Sequence, residues 1–389
     1  MIERFEDLNS WHLRNCKKHS QYSAFHPSVI CQPGSEQDRK PSLIHDLKPS
    51  LLHDVKPNLP HSGQSSSQHN PVHYNGPVVI PITHRVGGVE SLFYRNGQLF
   101  FTDDFKHEFC AYLDSSEEIF CTFIGLGTLS FAVPVAHHSD HFVLGYNNKI
   151  TLIDWNSLTN NSLRKMKIYN VIHLHENESF NYGIADPLHG LCIWSVKKGE
   201  PVSGRVWTFH PLLPAPQLVE QMLPGIPVTN GIVWSLSDPT KLYCINNRNN
   251  VIHTFIYNVG ERRVVGEAGI AFDLEHWAQI QRPPLYYGHA MLGRMTIDTK
   301  GRLWVPLYGG SHVIQINPNT RAVLQAIHIP AARVSACIFG GPKLDILYVS
   351  TVTFGADEQH PAGDQGGMIY AVSNIVAKGQ AARPFNMQS

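Results

Sequence analysis

Four places along the chain set side chains that could do chemistry at matching distances from a recurring segment: Glu90, Asn181, Asn230 and the pair Gly293-Arg294. Each lies eight to eleven residues ahead of a short apolar run, the runs starting at Gln98, Leu191, Lys241 and Arg302. A carboxylate and two amides meeting at one point would supply the hard oxygen ligands that suit a divalent cation such as calcium. The same residues read equally well as turn chemistry, because Asn before Gly, as in Asn230-Gly231, favours tight turns. Both readings stand until the elements that carry these residues are placed.

Those elements are strands. From Val78 onward the sequence consists of short apolar runs broken by Gly, Asp, Asn and Pro, the texture of an all-β chain. One run recurs six times, starting at Gln98, His141, Leu191, Lys241, Arg302 and Ile346, and each is followed by a second alternating run, as at Phe109, Lys149, Arg205, Val251, His312 and Met368. Periods of roughly 40 to 60 residues with about four strands each predict sheets that bury their faces only against one another, which is the β-propeller solution. A six-bladed β-propeller over residues 77–389 is the expected fold, with Asn96-Gly97 marking a tight hairpin. A β-sandwich would rarely need so long a chain or repeat its strands so regularly.

Residues 1–76 differ. Eight of the 23 histidines fall here among many Pro, Ser and Gln, without an apolar period, so a disordered extension is expected. It contains a degenerate repeat, Lys40-Pro-Ser-Leu-Ile-His-Asp, Lys48-Pro-Ser-Leu-Leu-His-Asp and Lys56-Pro-Asn-Leu-Pro-His, whose prolines oppose helix. Its isolated histidines are read as low-complexity sequence rather than metal ligands, since ordering such a chain around an ion costs entropy.

Composition narrows the partners. The 389 residues carry 31 basic and 31 acidic side chains, 16% charged in all, without the cationic footprint that nucleic acid requires. No apolar run approaches the roughly 18 residues of a membrane span, and Met1–Asp7 lacks the apolar core of a secretory signal, so a soluble, cytoplasmic protein is expected. The seven cysteines are dispersed and form no CxxC pair, which argues against a disulfide framework or structural zinc. His137-His138-Ser139-Asp140-His141 reads as a polar hairpin tip and His173-Leu-His-Glu as an exposed strand face. The sequons at Asn160-Asn161-Ser162 and Asn177-Glu178-Ser179 carry little weight without a signal peptide.

The segments around the four places resemble the regucalcin (senescence marker protein), gluconolactonase and luciferin-regenerating enzyme family. The resemblance rests on Gly88-Val-Glu-Ser-Leu-Phe-Tyr, Ser179-Phe-Asn-Tyr-Gly-Ile-Ala-Asp-Pro, Asn230-Gly-Ile-Val-Trp-Ser, Arg294-Met-Thr-Ile-Asp-Thr-Lys-Gly-Arg-Leu-Trp-Val, Tyr308-Gly-Gly and Ser335-Ala-Cys-Ile-Phe-Gly-Gly-Pro, and covers about residues 80–385. It implies a six-bladed propeller holding one divalent cation, calcium or zinc, through a Glu, an Asn and an Asp, and hydrolysis of sugar lactones with the cation as Lewis acid. Carried over, the metal ligands are Glu90 and Asn230, and the substrate-holding Asn is Asn181.

Three positions depart from that pattern. The third ligand, an Asp and the implied base, is Gly293 here and Arg294 follows it, so the catalytic residue is unknown; Ser179 stands where a substrate-holding Arg is expected, and Tyr182 where an Asp is. With one carboxylate in place of two, attraction for a cation falls and a weakened site is expected. Arg294 is positioned to pair with Glu90 and to serve, with Asn181, Ser179 and Tyr182, a small ligand such as a sugar lactone or small anion. The alternative is a non-catalytic propeller that binds a small ligand or another protein.

Overall fold

The computed structural model describes residues 76–160, 164–170, 178–197, 203–210, 217–221 and 229–387. The expected extension and its repeat, the His173 segment and Asn177 lie outside the described residues. Six antiparallel sheets arise in chain order, as a six-bladed propeller requires. Blade I comprises Val89–Arg95, Gln98–Asp103, Glu108–Leu113 and Glu118–Phe123; blade II, Leu129–Pro134, His141–Tyr146, Lys149–Asp154 and Arg164–Asn170. Blade III comprises Glu178–Ala185, Leu191–Lys197, Ser203–His210 and Gln217–Gln221; blade IV, Ile232–Trp234, Lys241–Asn246, Val251–Asn258 and Arg263–Asp273. Blade V comprises an inner strand in two pieces, Met291–Leu292 and Thr296–Ile297, then Leu303–Tyr308, His312–Asn317 and Ala322–His328. Blade VI comprises Val334–Gly340, Ile346–Thr351, Ile369–Ser373 and, as its outermost strand, Val78–Pro81 from the start of the described chain.

Burial follows each strand's place in its blade. Second strands lie between neighbouring blades and are covered on both faces, so Gln98–Asp103 is buried throughout and reads as a continuous run. The outer strand Ala322–His328 instead alternates between exposed and covered positions. Trp155, Trp194, Trp234 and Trp304 are fully buried and fill the space between blades. At the first hairpin, Asn96 (φ 51°) and Gly97 (φ 79°) both adopt the left-handed conformation that a two-residue turn of this kind demands.

One expectation from the cysteines is corrected. Cys110 and Cys121 form a disulfide, their Cα atoms 4.1 Å apart. The 114–117 turn pairs Leu113 with Glu118, and that register sets Cys110 directly opposite Cys121. A search for CxxC spacing misses such a cross-strand pair. Disulfides belong mainly to oxidising compartments, so this pair lends no support to the expected cytoplasmic location. Among the described residues no helix is long and apolar enough to cross a membrane.

The chain after Ser373 runs beneath the propeller and closes its lower mouth, where the inner strands end. Thr299 N donates to Lys378 O (2.8 Å), Gly379 N to Leu344 O (2.8 Å), Phe385 N to Pro134 O (2.7 Å) and Asn386 N to His189 O (2.8 Å), which ties the tail to four blades. Phe385 is fully buried against blades II and III.

Candidate functional site

At the upper mouth the inner strands share one irregularity. Pairing slips between Val89 and Leu92 in blade I, Leu129 and Phe131 in blade II, Phe180 and Tyr182 in blade III, and Val334 and Ala336 in blade VI. Blade V's inner strand breaks between Leu292 and Thr296, and that of blade IV begins only after Asn230-Gly231. Such bulges free a residue from the ladder and re-aim it. The positions left out of the ladders are Glu90 with Ser91, Ser130, Asn181 and Ser335, joined by Asn230 ahead of blade IV's inner strand and Gly293-Arg294 in the break of blade V's. Sequence reasoning identified four of these places and missed Ser130 and Ser335, since no charge or amide marks them.

Hydrogen bonds link the ring. Ser335 Oγ donates to Val89 O (2.6 Å), Ser130 Oγ to Phe180 O (2.7 Å) and Asn181 Nδ2 to Thr229 O (2.8 Å). Arg294 N donates to Ser335 O (2.8 Å) and Cys337 N to Arg294 O (3.1 Å), binding blade V to blade VI. Blades IV and V approach so closely that a Cβ on Gly231 would lie 3.3 Å from Met295 N, which suits glycine there.

The Arg294 guanidinium crosses this ring. Nη2 donates to Glu90 Oε2 and to Asn181 O, both at 2.9 Å, and Nη1 to Ser130 O at 3.3 Å. One side chain from blade V therefore engages the bulges of blades I, II and III. Its side chain is 8% exposed and that of Glu90 37%, so the pair lies at the boundary between interior and solvent. The guanidinium carbon lies 5.4 Å from the centre of the Tyr182 ring. Burial pushes the Tyr182 phenol up to about 12, opposed by the neighbouring Arg294 charge, and its hydroxyl donates to Ile232 O (3.3 Å). Asn230 is half-buried beside Thr229. Ser179 pairs with Val196 across the sheet and is not among the described residues that bond the guanidinium. Below Arg294 and Glu90 a cavity of about 150 Å³ continues down the channel to the tail residues Gln380–Arg383.

Tyr308, Arg333 and Glu358 form a second polar group that the sequence reading left out. Arg333 donates to both carboxylate oxygens of Glu358 (2.8 Å each) and stacks over Phe354 at 3.9 Å. The Tyr308 ring lies 5.9 Å from that guanidinium, and its hydroxyl is buried with no hydrogen-bond partner among the described residues. Burial holds this phenol above its ordinary range, with Glu90 adding to the shift and Arg333 opposing it. Tyr308 is thus a neutral, unspent donor near the carboxylate of the ring. Its Tyr-Gly-Gly setting was visible in the sequence, but nothing local marked the hydroxyl as unpaired.

The residues present do not fit a divalent cation. The Glu90 carboxylate already accepts from a guanidinium, so an added ion would set two cationic groups against one carboxylate. The third ligand position is Gly293, where even a Cβ would lie 2.5 Å from Ser335 O.

The SMP-30/Gluconolactonase/LRE-like region matches residues 89–353, and the chain belongs to that family. Regucalcin of Xenopus laevis is 25% identical over 317 residues, 79% of this chain and 97% of its own length. An uncharacterized protein of Sulfolobus acidocaldarius is 32% identical over 151 residues, and the match spans only 39% of this chain and 47% of that relative. In fold, the luciferin-regenerating enzyme superposes with a TM-score of 0.69 at 23% identity, over 80% of this chain and 100% of the enzyme.

Proposed function

We propose that this chain is a small-ligand-binding propeller of the lactone-hydrolase lineage in which a guanidinium takes the place of the divalent cation. The observation that supports this most is the contact between Arg294 Nη2 and Glu90 Oε2 at 2.9 Å. A buried cation on a fixed ring does electrostatically part of what a metal would do: it holds Glu90 in place and attracts an anion or a polarised carbonyl. Of five guanidinium N–H groups, three are spent on Ser130, Asn181 and Glu90, which leaves two for a ligand. The ligand class is a sugar lactone or the hydroxy-carboxylate it opens to.

Turnover is expected to be slow. Hydrolysis needs a base to activate water, and the two positions where a carboxylate is expected are Gly293 and Tyr182. The phenol of Tyr182 is neutral at pH 7 and already donates to a backbone carbonyl. Titration calorimetry with gluconate and with gluconolactone tests this reading. Binding at micromolar to millimolar concentration that weakens at least tenfold in Arg294→Gln supports it. No binding, or binding that Arg294→Gln leaves unchanged, contradicts it.

A further inference from the structure

The lower mouth holds a second, larger cavity, of about 700 Å³, between the hairpin tips of blades I, II and VI and the tail. Its walls are mainly apolar, with Pro134, Ala136, Pro342, Leu344, Ala381 and Pro384 among them. Arg95 projects from the end of blade I's inner strand into this setting, accompanied by His137 and His189. Among the described residues the Arg95 guanidinium makes one hydrogen bond, from Nη1 to Val135 O at 3.3 Å. Among the described residues no carboxylate lies within ion-pair distance of it.

The acids nearby are engaged elsewhere or too far away. Asp114, on the adjoining hairpin, accepts from Tyr94 and from Tyr348. Asp140 acts on Arg95 only through longer-range attraction, which does not outweigh the burial that pulls this guanidinium below its ordinary range. His189 is held through Nδ1 against Pro384 O (2.9 Å) and, being neutral or cationic, supplies no charge to balance Arg95. A partly desolvated cation with most of its N–H groups unspent is costly, and an anion that supplies acceptors relieves that cost.

We propose that the lower mouth is a ligand site separate from the upper one, taking a monocarboxylate with a compact aromatic or aliphatic body whose carboxylate pairs with Arg95. The volume falls in the range of small-molecule pockets. The planar fork of a guanidinium matches a carboxylate. One cation in apolar walls calls for a single negative charge on an apolar body rather than a phosphate or a sugar. His137, at the start of the polar tip and idle in the upper-mouth reading, becomes part of the rim.

The test uses 2-naphthoate and its neutral analogue 2-naphthylmethanol, titrated calorimetrically into the full chain. The acid is expected to bind at least tenfold more tightly than the alcohol. Arg95→Gln should abolish that preference, and Ala136→Trp, which fills the cavity from blade II and leaves Arg95 in place, should abolish binding of both. Arg294→Gln should leave 2-naphthoate binding unchanged, which separates this site from the one at the upper mouth. Equal affinity for acid and alcohol, no binding of the acid at millimolar concentration, or a loss that follows Arg294→Gln instead of Arg95→Gln would overturn the proposal.

Discussion

Arg294 Nη2 lies 2.9 Å from Glu90 Oε2 although 204 residues separate them, and a whole blade stands between their strands. The contact exists because blade V's inner strand breaks at Gly293 and blade I's slips at Glu90, so both side chains leave their sheets toward the channel. Each interruption looks like a defect when one blade is considered by itself. Across the channel they are complementary.

The glycine at the break is a steric requirement. Because a Cβ at Gly293 would lie 2.5 Å from Ser335 O and 3.1 Å from Pro306 Cβ, Gly293→Asp must displace backbone. Overpacking of this kind costs about 1–3 kcal/mol. The variant is expected to unfold at lower denaturant concentration and to gain no calcium affinity while Arg294 remains. A variant of unchanged stability that binds calcium would show that the break accommodates a side chain.

The Cys110–Cys121 disulfide should be present in purified protein and matter to its stability. Closing a loop of 11 residues restrains the unfolded chain by roughly 2–3 kcal/mol. Non-reducing peptide mapping should recover the two cysteines linked, and reductant should shift the denaturation midpoint down in the wild type but not in a Cys110→Ser/Cys121→Ser variant. Equal shifts in both proteins would place the reductant's effect elsewhere.

Tyr182 gives a pH dependence of defined sign. Its phenol, pushed up to about 12 by burial, keeps its proton in the folded state where the unfolded phenol, near 10, loses it. The unfolded state binds fewer protons in that interval, so stability is full below about 10 and falls as pH rises toward 12. Midpoints measured from pH 9 to 12 should fall less steeply in Tyr182→Phe than in the wild type. Parallel curves would mean that Tyr182 titrates alike in both states.

The architecture was legible where burial leaves a local trace. The second strands carry successive apolar residues at their centres because blades cover both their faces, so runs such as Leu99-Phe100-Phe101 within Gln98–Asp103 stand out. Val78–Pro81 did not stand out, being a short and mostly exposed edge strand paired with Ile369–Ser373 at the other end of the propeller. The cysteine pair depended on hairpin register, and the bulges on how each strand meets its partner; neither is a property of one segment. At the site, Glu90, Asn181 and Arg294 were readable from charge, amide and spacing. The carbonyls of Ser130 and Asn181 that hold the guanidinium were not, because every residue has one.

On the reading proposed above, Arg294 excludes a divalent cation from the ring. The direct measurement is calcium affinity, by titration calorimetry, of the wild type, Arg294→Gly and Arg294→Lys. Removing the guanidinium frees the Glu90 carboxylate, so Arg294→Gly is expected to bind calcium at least tenfold more tightly than the wild type, a gain of about 1.4 kcal/mol. Arg294→Lys, which keeps the positive charge, should stay as weak as the wild type. Stoichiometric calcium binding by the wild type at micromolar concentration, unchanged in Arg294→Gly, would contradict the claim.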